Sequence, residues 1–280
     1  MKLPMMKKAL YLSIFSSILA TSAFANHAGM MESNTVGVPG KFYLGAFGGG
    51  GSSNKFDITQ FGTAFYFEAA GGPLAVNAFG HTNSQSVWFG GAQAGYQAPA
   101  MMINANPLWR IAPAIEFEGY YLGKHTYTGD LTNDTARLDE HDFDVSYKMK
   151  RSAFLANLVV NLNPCLVVQP YVGVGIGGAL VDISGADATQ VRPPEAGVNH
   201  YNSKNSDMAP TFAGQIKAGL IYDFNQYVSV FAEYRWLYLG STHFTFGSTV
   251  YPGHPETSNW QVRFGSQRYN FGDVGIRVNL

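Results

Sequence analysis

Val274, Ile276, Val278 and Leu280 share one face of the stretch that ends the chain, and Asp273, Arg277 and Asn279 share the other. Strict alternation is the signature of a β-strand, because successive side chains point to opposite faces. Here the apolar face continues through the last residue. A transmembrane β-barrel needs such a strand, since its last strand must seal the sheet against the first while turning an apolar face to lipid. The stretch therefore predicts a membrane-crossing barrel with 273–280 in its closing strand.

The opposite end agrees. Lys2, Lys7 and Lys8 precede an apolar run over 9–19, and Ala23-Phe24-Ala25 forms a small-x-small cleavage site. This is the pattern of a secretory signal peptide over 1–25, with the mature chain expected to start at Asn26. The apolar run is shorter than the about 20 residues that a spanning helix requires. Residues 26–40 carry little pattern and read as a periplasmic N-terminal tail, leaving 41–280 for the barrel. Charged residues make up 13% of the chain, aromatics 14%, and there are 32 glycines. Ordinary soluble domains are about a quarter charged. The net charge of −1 argues against a nucleic-acid partner. The single cysteine, Cys165, excludes an internal disulfide and reads as a small apolar residue near a turn.

Eight strand-period segments recur, over 41–50, 87–97, 109–124, 145–162, 166–181, 211–224, 227–246 and 269–280. Each is long enough to cross a bilayer, which takes about 9–11 tilted residues. Short connections at Asn163-Pro164-Cys165 and Asn225-Gln226, and a somewhat longer one at 97–108, alternate with long polar ones at 51–86, 125–144, 182–210 and 247–266. The predicted fold class is all-β: an eight-stranded antiparallel transmembrane β-barrel with short periplasmic turns and four long external loops. A soluble eight-stranded barrel is the competing fold, but it buries apolar residues and exposes polar ones. Here glycine and charge share one face while aromatics such as Tyr222, Tyr234, Trp236 and Tyr238 share the other.

Three segments resemble small Gram-negative outer-membrane barrels, the family of opacity-protein-like surface antigens and of the outer-membrane protein A barrel. Pro170-Tyr171-Val172-Gly173-Val174-Gly175-Ile176-Gly177 resembles the family's Pro-Tyr-x-Gly-x-Gly-x-Gly strand, Glu233-Tyr234-Arg235 its Glu-Tyr-Arg strand, and 272–280 its closing strand. The resemblance implies residence in the bacterial outer membrane, contact with outer-membrane lipid and lipopolysaccharide, and insertion by the barrel assembly machinery. Leu280 stands where the family commonly ends on an aromatic residue, so recognition by that machinery is expected to be weaker. No periplasmic peptidoglycan-binding domain is expected after the barrel, so the family's wall-anchoring role is not expected to carry over.

Alternation places Arg110, Glu116, Glu118, Arg151, Lys217, Asp223, Glu233, Arg235, Asp273 and Arg277 in the lumen. An eight-stranded barrel has room only for side chains, and isolated charges there are strongly unfavourable, so these are expected to pair. Two readings follow: a plug of ion pairs that holds register, or a narrow path gated by those pairs. Gly173, Gly175 and Gly177 leave space for long side chains opposite.

Catalytic and cofactor sites find little support. The run His254-Pro255-Glu256-Thr257-Ser258-Asn259 lacks the His-x-Ser-Asn spacing of lipid A deacylases, and His200, Ser203 and His243 form no ordered triad pattern. The second external loop is acidic, with Asp130, Asp134, Asp139, Glu140, Asp142 and Asp144, but its spacing matches no calcium loop. No metal or other cofactor is expected. Lys148 and Lys150 share the outward face near the external rim and are candidate lipopolysaccharide contacts. The functional expectation is a non-enzymatic surface scaffold displaying loops to an extracellular ligand that the sequence does not name, in adhesion or host contact. The alternatives are a small porin-like channel and a lipid A-modifying enzyme.

Overall fold

A computed structural model describes residues 39–103, 110–133, 142–164 and 166–280, all within the unit Thr35–Leu280. The expected signal peptide, most of the N-terminal tail, Cys165 and the acidic residues Asp134, Asp139 and Glu140 lie outside the described residues.

Thirteen strands follow one another: β1 Lys41–Ser53, β2 Asp57–Ala64, β3 Leu74–Thr82, β4 Gln85–Gln97, β5 Met101–Met102, β6 Arg110–Thr132, β7 Asp142–Leu162, β8 Val168–Arg192, β9 Asp207–Asp223, β10 Val228–Leu239, β11 Thr242–Phe246, β12 Trp260–Phe264 and β13 Gln267–Asn279. A single short 3-10 turn, Glu68–Ala70, is the helical exception among the described residues. Eight of the strands form a closed antiparallel ring in the order β1-β4-β6-β7-β8-β9-β10-β13, and β13 returns to β1 with Tyr43 opposite Asn279 and Ser53 opposite Tyr269.

Ring closure follows from the alternation. Leu44, Phe117, Leu158, Ile176, Ile216 and Val274 are each more than half exposed on the outside. Between them, Tyr43, Glu116, Asn157, Gln215 and Asp273 are buried inside. An apolar exterior around an interior that seats charged and polar groups among buried apolar side chains such as Phe89, Leu155 and Phe271 matches a lipid environment. The tight turns use local polar chemistry. Asn163 adopts a positive φ of 48°, tolerated by Asn better than by most residues, and Asn225 Oδ1 accepts from the amides of Tyr227 (2.8 Å) and Val228 (2.9 Å).

The external side departs from simple polar loops. β6, β7 and β8 run for 23, 21 and 25 residues, about twice the length that crosses a bilayer. Their outer halves are joined by the hairpin β2–β3, lying in the first long connection, and by the hairpin β11–β12. The resulting wall runs β11-β12-β2-β3-β6-β7-β8. Its interior is apolar, packed with Phe56, Ile58, Tyr147, Phe244, Trp260 and Phe264. A folded cap thus stands on the barrel. Register shifts between Leu122 and His125, and between Ser146 and Lys148, fall where the wall passes from one tier to the other. Such bulges bend a sheet and increase its twist.

One strand boundary corrects the sequence reading. The segment expected as a single strand over 227–246 divides after Leu239. The Gly240 amide donates to the Phe212 carbonyl (2.9 Å), and β11 leaves the ring to join the cap. Alternation continues through the break, so periodicity alone does not reveal it.

Candidate functional site

The barrel interior is built by four strands that each contribute charge. β6 supplies Glu116 and Glu118, β9 supplies Lys217, β10 supplies Glu233 and Arg235, and β13 supplies Asp273 and Arg277. Each sits at an inward position because its neighbours in sequence, such as Phe117, Ile216, Tyr234 and Val274, face outward.

Lys217 is the hub. Its ammonium donates to Glu116 Oε1 and, at 2.6 Å, to Glu118 Oε1, and it lies 3.7 Å from Glu233 Oε2. Arg235 donates to Glu118 Oε2 (2.8 Å) and to Glu233 Oε1, and its Nε lies 3.5 Å from Asp273 Oδ2. Arg277 donates to Glu116 Oε2 at 3.1 Å. Tyrosine hydroxyls add further donors: Tyr43 donates to Glu116 (2.8 Å) and Tyr171 to Glu233 (2.6 Å). Gln215 donates to Glu118 (2.5 Å) and to Asn157 (2.7 Å). Aromatic rings flank both guanidinium groups, with Arg235 4.7 Å from the Phe47 centroid and Arg277 4.6 Å from that of Tyr43. Cation–π contacts gain strength where water is excluded.

Such a cluster is expensive to desolvate, and only dense hydrogen bonding offsets the cost. The glycine lane on β8 makes room for it. A Cβ on Gly173 would lie 3.1 Å from Lys217 Cγ, and one on Gly175 only 1.8 Å from Asn157 Oδ1.

The structure divides the ten predicted lumen residues. Glu116, Glu118, Lys217, Glu233, Arg235, Asp273 and Arg277 come together. Arg151, Arg110 and Asp223 stand apart from them. Arg151 is fully buried at the junction of barrel and cap, where it donates to Gln267 (3.0 Å) and lies 4.6 Å from the Tyr127 ring centroid. Arg110 is half-buried at the turn end of β6. Asp223 is half-buried at the turn end of β9, accepting from Gln169 (2.6 Å) and Ser229 (2.5 Å). Parity fixes which face a residue takes but not its height along the axis, and height separates these three. Charge alone does not reveal the tyrosines; Tyr120, which donates to Gln215 Oε1 (3.2 Å), and Tyr171 share the inward parity of Glu118 and Gly173, which is the signal that finds them.

Lys148 and Lys150 face outward on β7, and Lys150 pairs with Asp182 of β8 at 3.2 Å. The hydroxyls considered for catalysis are engaged with backbone. Ser203 Oγ donates to the Ser248 carbonyl (2.7 Å) and Ser258 Oγ to the Asn259 carbonyl (3.2 Å).

A closed eight-stranded ring with an apolar exterior and a charged, hydrogen-bonded interior defines an outer-membrane β-barrel. The family model described as surface antigen matches residues 123–279, more than half of the 280-residue chain. The chain belongs to that surface antigen family and resides in the bacterial outer membrane. Comparison with curated protein sequences returns no match. Among solved structures it is similar to Neisserial surface protein A, at 14% identity and a TM-score of 0.39, covering 85% of this chain and 96% of that one. It is also similar to the outer membrane protein OprG of Pseudomonas aeruginosa, at 14% identity and a TM-score of 0.39, covering 86% and 96%. The outer membrane protease OmpT of Escherichia coli aligns at 9% identity and a TM-score of 0.39, covering 85% and 97%.

Proposed function

We propose that this chain is a non-enzymatic surface protein whose folded cap makes contact with an extracellular ligand, in adhesion or host contact. The observation that carries the reading is a set of exposed aromatics on the β2–β3 hairpin. Phe67 is 87% exposed, and Phe65 and Phe79 are about half exposed, although a well-packed apolar core lies on the other side of the same strands. Exposed apolar groups on a surface of this kind mark contact sites, and rigid scaffolds present such sites on their connections. The barrel below serves as the support, its ion-pair cluster holding the strands in register. Binding of purified protein to cultured host cells tests this. Replacing Phe65 and Phe67 by Ser should reduce binding at least several-fold while heat-modifiable migration, the mark of a folded barrel, is retained. Binding equal to that of the parent protein overturns the reading.

A second reading, a narrow cation path, has one observation in its favour. Four carboxylates face three cations in the lumen cluster, and neither oxygen of Asp273 accepts a hydrogen bond. Cation-selective steps in planar bilayers, reduced by Asp273→Asn, would support it over the plug.

A further inference from the structure

A second group of polar side chains lies in the cap, where the β8–β9 connection meets the β11–β12 connection. Glu195, His200 and His254 each place one potential ligand atom within 4.8 Å of the others. Glu195 Oε2 is 3.4 Å from His200 Nε2 and 3.3 Å from His254 Nε2. The carboxylate oxygen is buried and accepts no hydrogen bond.

Both imidazoles are oriented from behind. His200 Nδ1 lies 2.9 Å from the Ala188 carbonyl oxygen, and His254 Nδ1 lies 2.6 Å from that of Pro255. A carbonyl oxygen only accepts, so each Nδ1 bears a proton, and in the neutral tautomer each ring presents its Nε2 lone pair to the carboxylate. Three lone pairs then converge on one small volume. A backbone or carboxylate acceptor behind the distal nitrogen is the arrangement that sets the tautomer of a metal-bound histidine. The two spacings from the carboxylate oxygen to the imidazole nitrogens also fit. Zinc bonds of about 2.0–2.1 Å in a tetrahedron give ligand–ligand edges of about 3.3–3.4 Å. His200 is held among Phe143 and Trp260, with ring centroids at 5.2 and 5.9 Å, which limits the freedom of that ligand.

We propose that Glu195, His200 and His254 form a binding site for a divalent transition-metal ion, zinc being the best match to two imidazoles and one carboxylate. The ion adds a staple between two cap connections that hydrogen bonds already join, such as Asn202 Nδ2 to the Val250 carbonyl (2.6 Å) and Thr249 Oγ1 to the His200 carbonyl (3.0 Å), and three protein ligands leave a fourth position for water or for a donor group of a bound ligand. The inference is independent of the adhesion reading, because metal binding is measured without a host partner.

The test uses the full-length mature barrel, folded in detergent, stripped with a chelator and dialysed against zinc. One zinc ion per chain is expected, and cobalt in its place should give the visible absorption of a four-coordinate nitrogen–oxygen site. Loss of an outer-shell partner typically lowers metal affinity by about 10–100-fold, so loss of a direct ligand in His254→Ala or Glu195→Gln should lower it by more than about 100-fold. His81→Ala, at an exposed histidine paired with Asp57 on the β2–β3 hairpin, should leave the stoichiometry unchanged. Heat-modifiable migration confirms that each variant is folded. Glu195→Gln preserves size and shape, and so serves if His254→Ala fails to fold. Absence of stoichiometric zinc in the parent protein, or equal retention by Glu195→Gln, overturns the site.

Discussion

Arg277 Nη2 donates to Glu116 Oε2 at 3.1 Å across the lumen, although β13 and β6 are separated in the ring by β1 and β4. The contact links residues 161 apart in sequence. It therefore forms only after the ring has closed in register, and it couples the last strand to the far wall. Removing one partner of a buried pair leaves the other charge uncompensated, at a cost of about 3–5 kcal/mol. Arg277→Ala should lower stability by about that amount, read as a drop in the temperature at which heat-modifiable migration is lost. Glu116→Gln alone should be costly too, since Lys217 and Tyr43 also use that carboxylate. The double variant should lose clearly less than the sum of the two, because residues in one network are coupled. Strict additivity would show that the pair does not communicate.

The seam between β1 and β13 gives a steric test. A Cβ on Gly49 would stand 2.1 Å from the Gly272 carbonyl oxygen and 2.6 Å from Asp273 Cβ, whereas a Cβ on Gly272 would meet nothing within 4 Å. Crowding a packed interior costs about 1–3 kcal/mol. Gly49→Val should therefore reduce the folded fraction recovered on refolding and lower the unfolding midpoint. Gly272→Ala should stay within about 0.5 kcal/mol, as surface changes usually do. Equal effects at the two positions would mean that the seam is looser than the contact distances indicate.

These two cases also show what the sequence makes legible. Lipid outside and a narrow lumen inside force every spanning strand to alternate, so Val274 and Asp273, or Phe117 and Glu116, could be assigned to opposite faces from parity alone. The ring order follows from the antiparallel turns. Height along the axis does not follow, so parity alone places Arg151, Arg110 and Asp223 with a cluster from which the structure separates them. The cap is less legible still. Phe56, Ile58, Val76 and Ala78 alternate as strand residues should, but β2 and β3 span only 8 and 9 residues and their apolar side faces protein rather than lipid. Phe244 and Phe246 continue the period of β10, so the departure at Gly240 leaves no mark in the pattern. Glu195, His200 and His254 come from separate parts of two connections and have no fixed spacing to recognise.

Lys148 and Lys150 mark the outward rim of β7, and the Lys150 side chain is 47% exposed even while paired with Asp182. Each cation near an anionic surface contributes about 1 kcal/mol, falling off within a Debye length. Lys148→Gln with Lys150→Gln should lower the unfolding midpoint in lipopolysaccharide-containing bilayers and leave it nearly unchanged in a neutral detergent. The difference should shrink as salt rises. A loss of the same size in both media would assign the lysines a role within the sheet instead.

Tyr201 gives the cap its own pH dependence. Its hydroxyl donates to Gln60 Oε1 (2.5 Å) and pairs with the Tyr147 hydroxyl (3.0 Å), and the residue is fully buried in the connection after β8. Burial, reinforced by Tyr147, pushes this phenol well above its ordinary value of 10.0. The folded state therefore holds the proton where the unfolded state releases it. The stabilisation is present in full below about pH 10 and is lost as pH rises above that value, since the unfolded chain then binds fewer protons. Cap unfolding, followed by the near-ultraviolet dichroism of its buried aromatics, should begin at lower temperature as pH is raised beyond about 10. Tyr201→Phe should cost about 1 kcal/mol at neutral pH through the lost hydrogen bonds and should flatten the alkaline slope. A slope that is identical in the variant would place the titrating group elsewhere in the cap.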